Sequence, residues 1–328
     1  MARLVAAFGT SHSIMLNSTL DDWLRNFRVR DRTLSYHDRS GRALSYDEAL
    51  ALAPPDAALL ITPARLEERH AAAHANIARM KAEIAAARLD ALVVIGDDQH
   101  ELFDERHQPS IGIYHGTTIR NAAAADAPGA TWFERARSGF QEPQADAHYP
   151  CDAALALHLI DGLVTREFDI AAINGLAGGQ FEGHAYGFVH RRYIGAAGMP
   201  VVPVFLNTYY PPNQPTPRRC VELGRAIAEL VASYPKDIRI GVIGSGGLTH
   251  FLIDAEFDQD LIAAFRRNDL EFLARLDPRR LQSGSSEIRN WLVAAGTAQS
   301  LALQWASYVP GYRSPALSGT GLCWAAWR

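Results

Sequence analysis

The sequence predicts an α/β fold, a single layered domain over residues 1–328 with a central, mostly parallel sheet flanked by helices and long loops forming the wall of an active site. Three observations predict it. Short apolar runs alternate with longer segments of helical period, the pattern of strands covered by helices. The 328 residues are 48% hydrophobic, enough to bury a substantial core. Polar residues gather directly after the apolar runs, where ligand crevices form in open α/β sheets.

The elements follow in order. LVAAF, residues 4–8, is an apolar run short enough for a buried strand. Residues 28–56 fit neither strand nor helix period. Residues 63–87, rich in Ala, Glu and Arg, predict a helix with Pro63 in its first turn. ALVVIG, 91–96, is the next strand. Residues 104–150 are again mixed and Gly/Pro-punctuated, too long for a simple connection, and read as a lid or binding wall that shapes specificity. A helix over 152–166 and strands over 170–174 and 201–207 come next. PPNQPTP, 211–217, initiates a helix over 217–233. A strand over 238–244, helices over 258–275 and 287–304, and a last strand over 322–327 complete the series.

Composition excludes several classes of function. Thirty-two basic residues against 36 acidic ones leave a net charge of −4 and no basic stripe, so nucleic acid is not expected as a partner. No apolar stretch approaches the roughly 20 residues that span a bilayer, and the N-terminal run reaches Thr10 and His12 too soon for a secretory signal. Cys151, Cys220 and Cys323 are far apart and without CxxC spacing, which predicts neither a disulfide framework nor a thiolate metal site and fits a reducing cytoplasm.

Three histidines follow apolar runs: His12 in LVAAFGTSHS, His100 in ALVVIGDDQH and His250 in IRIGVIGSGGLTH. Taken singly, each also fits a turn, a helix-capping neighbour or a helix start; together they point to one cleft at the strand ends. GSGGLTH lacks the GxGxxG spacing and the Walker Lys of a phosphate loop, and its glycines equally let backbone pack against a small substrate. A fourth histidine, His184, lies in FEGHAYGFVHRRYI, where His190 reads as part of a solvated helix face. Glu287, in LQSGSSEIRNW, fits both a helix first turn favoured by the dipole and a ligand position.

These residues together resemble the class III extradiol ring-cleavage dioxygenases, the family of the protocatechuate 4,5-dioxygenase β subunit and the gallate and 3-O-methylgallate dioxygenases. GTSH matches that family's SxSH, GDDQH its NDH or DDH with one extra residue before the His, GSSEIRNW its E-[LIV]-x-x-W turn, EGHAYG its DHG-like turn and GSGGLTH its GTGGxSH. FLNTYYPPNQPTPRRCVELGRAI resembles a further β-subunit tract, so the likeness runs from His12 to Trp291. The resemblance implies Fe(II) held by His12, His100 and Glu287 as a facial triad. It implies His250 as the base that takes a catechol proton and His184 as the acid assisting O–O cleavage. Asp97 and Asp98 would support a liganding imidazole or cap the following turn.

The implied substrates are O2 and a catecholic aromatic acid. Thr249, Ser285, Ser286, Arg289 and the tract 312–320 are candidates for holding its carboxylate. No appended domain follows Trp327, which implies a homo-oligomer, such as a dimer, or a separate small α subunit. Two competing functions are a binding or signalling protein that keeps the fold without ring cleavage, and a Zn-dependent hydrolase using the same ligands; the presence of both His184 and His250 speaks for catalysis.

Overall fold

The computed structural model describes residues 1–125, 128–195 and 198–328. A nine-stranded sheet organises the chain. Its parallel centre runs Arg3–Thr10, Arg239–Ser245, Ala91–Asp97 and Val201–Leu206. Ile111–Tyr114 extends it antiparallel to Val201–Leu206, and Ala171–Ile173 forms the far edge. On the other side Ser318–Trp327 pairs antiparallel with Arg3–Thr10 and His250–Leu252, and its outer neighbour is Leu303–Tyr312. The first and last long strands are therefore hydrogen-bonded to each other.

The central strands read as continuous apolar runs because both faces are covered. Alternate residues of Ala91–Asp97 serve different cores. Val93 and Ile95 pack with Val202, Val242 and the helices Ala153–Thr165, Pro217–Ser233, Ala255–Arg267 and Ile288–Thr297. Leu92 and Val94 pack with Phe8, Trp324 and the helix Pro63–Ala87. Burial of a Val or Leu side chain contributes about 1.5–3 kcal/mol, so this strand is fixed by both layers.

Two expected helices are shorter than their apolar period. The segment 258–275 divides into Ala255–Arg267 and Leu270–Ala274 because Asn268 is left-handed at φ 54° and Asp269 accepts from Phe272 N to cap the second piece. The helix expected over 287–304 ends at Thr297, and residues from Leu303 belong to a strand. The two mixed stretches carry structure of their own. Residues 28–56 contain a small hairpin, Tyr36–His37 with Ala43–Leu44, and the helix Tyr46–Leu52 behind a Ser45–Glu48 capping box. Residues 104–150 supply a strand of the main sheet, the pair Thr118–Asn121 with Ala147–Pro150, and the helix Trp132–Ser138. Among the described residues no helix is long and apolar enough to cross a membrane.

Candidate metal centre

The carboxyl ends of the parallel strands open into a cleft of about 1650 Å³, lined by His12, Gln99, His184, His250 and Glu287 and walled by residues from both mixed stretches. Packing between the sequence motifs positions its floor. Ser11 is locked to the neighbouring strand by two hydrogen bonds with the backbone of Cys323, which fixes where His12 emerges. Gly9 leaves room for Trp291: a Cβ there would lie 2.2 Å from Trp291 Cζ3. The Trp291 indole N–H in turn donates to Gly246 O at 2.7 Å, so the three motifs are fastened together.

One ligand-bearing atom from each of His12, Asp97, His184 and Glu287 falls within 4.8 Å of all the others. Hydrogen bonds on the far side of each ring determine what the imidazoles present. Ser245 Oγ donates its proton to Ala185 O at 3.0 Å and must therefore accept from His12 Nδ1–H, also at 3.0 Å. His12 Nε2 then faces Glu287 Oε2 at 3.4 Å and Asp97 Oδ1 at 3.8 Å, buried and without a hydrogen-bond partner. His184 Nδ1–H donates to Glu101 Oε2 at 2.8 Å, and its Nε2 faces Asp97 Oδ2 at 3.8 Å. Both rings are pinned at Nδ1 and turn Nε2 inward, the orientation of metal-liganding histidines.

Two buried carboxylates share this space. Burial and the charge of Glu287 raise the pKa of Asp97. Burial also pushes on Glu287, but His250 and His12 outweigh it and hold the carboxyl well below its usual range. His184 is raised to about 10, since the Glu101 carboxylate outweighs the cost of burying its charge. An environment that so favours a proton on His184 Nε2 also favours a metal cation in its place. The orphaned Nε2 of His12 and the facing carboxylates fit a divalent ion bound by nitrogen and oxygen.

His250 borders this group. Its Nδ1–H donates to Leu248 O at 2.8 Å, and Nε2 lies 3.3 Å from Glu287 Oε1. The ring fits because residue 284 is glycine: a Cβ there would stand 2.0 Å from His250 Cδ2. Glu287 itself accepts from Gly247 N at 2.7 Å, which explains why a Gly/Ser turn precedes each residue.

The structure moves several residues from their expected places. His100 lies outside the ligand group; it is exposed, adopts φ 60° and stacks on Tyr210 at 3.7 Å between ring centroids. The residue that directly follows Asp98, where NDH and DDH carry their His, is Gln99. Its amide donates to Asp97 at 3.3 Å and Glu287 at 3.4 Å. Asp98 touches no imidazole nitrogen; it accepts from Leu102 N and Phe103 N as a turn cap, and burial raises its pKa to about 7. His190 is 1% exposed rather than solvated, because the helical segment carrying it packs inward against Tyr149.

Of the residues expected to hold a carboxylate, Arg289, Thr249 and Ser285 are committed elsewhere, and Ser286 lies in the interior with its Oγ lacking a partner among the described residues. Arg289 is buried and donates to the carbonyls of Pro215, Thr208 and Leu281. Thr249 is bonded to Asp258, Ser285 to the backbone of His250, and Ser286 is fully buried. Sequence reasoning missed Glu101, whose only signal is its place beside the GDDQH strand end, and Gln99, whose signal is the extra residue before His100.

Fold and site thus define an α/β protein with a buried two-imidazole, two-carboxylate group suited to a metal ion. The family model described as the catalytic LigB subunit of aromatic ring-opening dioxygenase matches residues 64–318, more than three quarters of the chain, and the chain belongs to that family. The matched span includes Asp97, His184, His250 and Glu287, and His12 precedes it. Shorter stretches are similar to curated proteins. A gallate dioxygenase of Pseudomonas putida is 29% identical over 99 residues, 25% of this chain and 27% of that protein. Proteins named 2,3-dihydroxyphenylpropionate/2,3-dihydroxicinnamic acid 1,2-dioxygenase are 44% identical over 55 residues in Mycobacterium ulcerans and 45% over 51 in Photorhabdus laumondii. Those matches span 17% and 15% of the respective relatives.

Proposed function

We propose that the protein is a non-haem Fe(II)-dependent extradiol dioxygenase that opens the ring of a catecholic aromatic acid and inserts both atoms of O2. The observation that supports this most is the pair of imidazoles pinned at Nδ1, with Nε2 facing two buried carboxylates at the floor of a cleft wide enough for an aromatic ring. His12, His184 and Glu287, with Asp97 beside them, would hold the metal. When bound, the metal supplies a common point of attachment and electron transfer between the ring and O2.

The chain's own residues do the remaining work. His250 Nε2, beside Glu287 at the cleft wall, accepts a catechol hydroxyl proton, while Leu248 O holds the opposite ring nitrogen protonated. Glu101 keeps His184 in one orientation, and Ser245 does so for His12. With His184 Nε2 turned into the ligand group, His250 is left as the histidine placed for proton transfer.

Anaerobic loading with Fe(II), followed by oxygen and a panel of carboxylated catechols, tests the reading. One O2 consumed per ring, with a yellow ring-fission product, is the expected result. No O2 uptake with any member of the panel would overturn it. His12→Ala should lose iron retention, and unchanged iron content in that variant would remove the ligand assignment.

A further inference from the structure

The cleft wall also carries positive charge. Arg30, Arg137 and Arg313 all line it, together with Phe27 and Phe133. The carboxylate beside them, Asp31, is consumed by Arg313: Nη2 meets Oδ1 at 2.9 Å and Nε meets Oδ2 at 3.1 Å, both side chains being buried. Arg30, next to Asp31 in the chain, is differently placed. Its guanidinium carbon lies 3.7 Å from the centroid of the Phe133 ring, and among the described residues it makes no ion pair and no side-chain hydrogen bond. Partial burial, then the Arg313 charge, depress its pKa and outweigh the nearby Asp31, whose hydrogen bonds go to Arg313 and Ser318.

The other arginines of the wall are less suitable. Arg191 is paired with Glu142 at 3.1 Å, and Arg135 donates to Ala130 O. Arg137 is exposed and adds positive charge at the rim. A guanidinium resting over an aromatic face makes no hydrogen bond to it and keeps its N–H donors for a carboxylate, which a guanidinium takes through two parallel hydrogen bonds. The same cleft is lined by Glu101 and Glu287, with Asp97 behind His12 and His184, and these carboxylates repel a free carboxylate unless a cation intervenes.

We infer that Arg30 is the specificity-determining residue of the cleft, binding the carboxylate of an aromatic acid while the hydroxyl-bearing edge of the ring faces the His12, His184 and Glu287 group. This rests on the proposed function for the identity of the ligand, but not for its binding.

The test is therefore made without turnover, on the full chain stripped of metal, by calorimetric titration with 4-hydroxybenzoate and with the neutral 4-hydroxybenzamide. Wild type should bind the acid more tightly than the amide. Arg30→Gln should weaken the acid by about 10- to 100-fold, the range for a lost charge-assisted hydrogen bond, and leave the amide unchanged. Arg30→Lys should recover part of the loss, and equal melting temperatures would show that the fold is intact. Equal loss for acid and amide, no loss for either, or no preference for the acid in wild type would overturn the inference. If the acid preference depends on Arg30 while iron-loaded protein consumes no O2, the anion site stands and the dioxygenase reading alone falls.

Discussion

His184 and His190 stand six residues apart, and each donates Nδ1–H to a glutamate: Glu101 at 2.8 Å for the first and Glu182 at 2.7 Å for the second. The pairs are chemically alike and differ in where the other nitrogen points. His184 Nε2 faces Asp97 and the metal group. His190 Nε2 ends in the interior without a hydrogen-bond partner, on a ring stacked 3.9 Å from Tyr149 and 4° from parallel to it. Glu182 also accepts from Asn121 at 2.7 Å, and Asn121 donates to Phe140 O. Phe140 packs edge-on against His184. The closed pair thus braces the wall over the open one. A His–Glu pair acquires a ligand role only when the distal nitrogen reaches a shared polar space; otherwise it serves packing.

The largest effect should come from breaking the closed pair. Glu182→Ala leaves the His190 imidazole buried without its acceptor and the Asn121 amide with Phe140 O alone, which costs about 3–5 kcal/mol of folding stability. Urea unfolding would read it directly. A loss below about 1 kcal/mol would show that the pair is no brace. A milder change at the open pair should act on metal rather than on the fold: Glu101→Gln keeps an acceptor for His184 but removes the charge. Metal affinity, measured by chelator competition, should fall by about 10- to 100-fold, with the melting temperature nearly unchanged. An unaltered affinity would separate His184 from the ligand group.

Asp258 sharpens the contrast, because it is a buried carboxylate with no imidazole. It accepts from Thr249 N, Thr249 Oγ1 and Tyr308 OH, all uncharged, and burial raises its pKa to about 7. Glu101, partly buried with His184 beside it, is lowered, since the imidazole outweighs the cost of burial. For Asp258 the folded state holds a proton that the unfolded chain releases near pH 4. Its contribution to stability is full below that value and disappears as pH rises through about 7. Wild type should therefore lose about 2 kcal/mol relative to Asp258→Asn between pH 5 and pH 8. A constant difference across that range would mean that Asp258 is ionised throughout.

The sequence makes the layers of this molecule legible wherever burial is two-sided. The run at 91–96 is apolar throughout because Val93 and Leu92 serve opposite cores, and the helices at 63–87 and 217–233 start where proline allows. His12, Asp97, His184 and Glu287 stand out in the sequence because each lies in a short motif at an element end, but the motifs alone give Asp97 a supporting role and His184 an acid role rather than places in one group. The turn after Asp97 was not legible: His100 is left-handed and stacks on Tyr210, while Gln99 reaches Asp97 and Glu287 and Glu101 reaches His184, an outcome of one dihedral angle. Arg30 was hidden for another reason. Its freedom depends on Arg313, 283 positions later, taking the neighbouring Asp31, and no local pattern reports such a contact.

The smallest effect concerns His12, the imidazole held by a neutral group. Ser245 Oγ accepts from its Nδ1–H and donates its own hydroxyl hydrogen bond to Ala185 O, so it selects the same tautomer that Glu101 selects in His184 without adding negative charge. A neutral hydrogen bond contributes about 0.5–1.5 kcal/mol, against roughly twice that for one to a charged group. Ser245→Ala should therefore weaken metal binding by about 2- to 10-fold, less than Glu101→Gln, and the double variant should show the two losses multiplied. A Ser245→Ala loss as large as that of Glu101→Gln would mean that orientation, which both partners provide, outweighs the charge that only Glu101 carries.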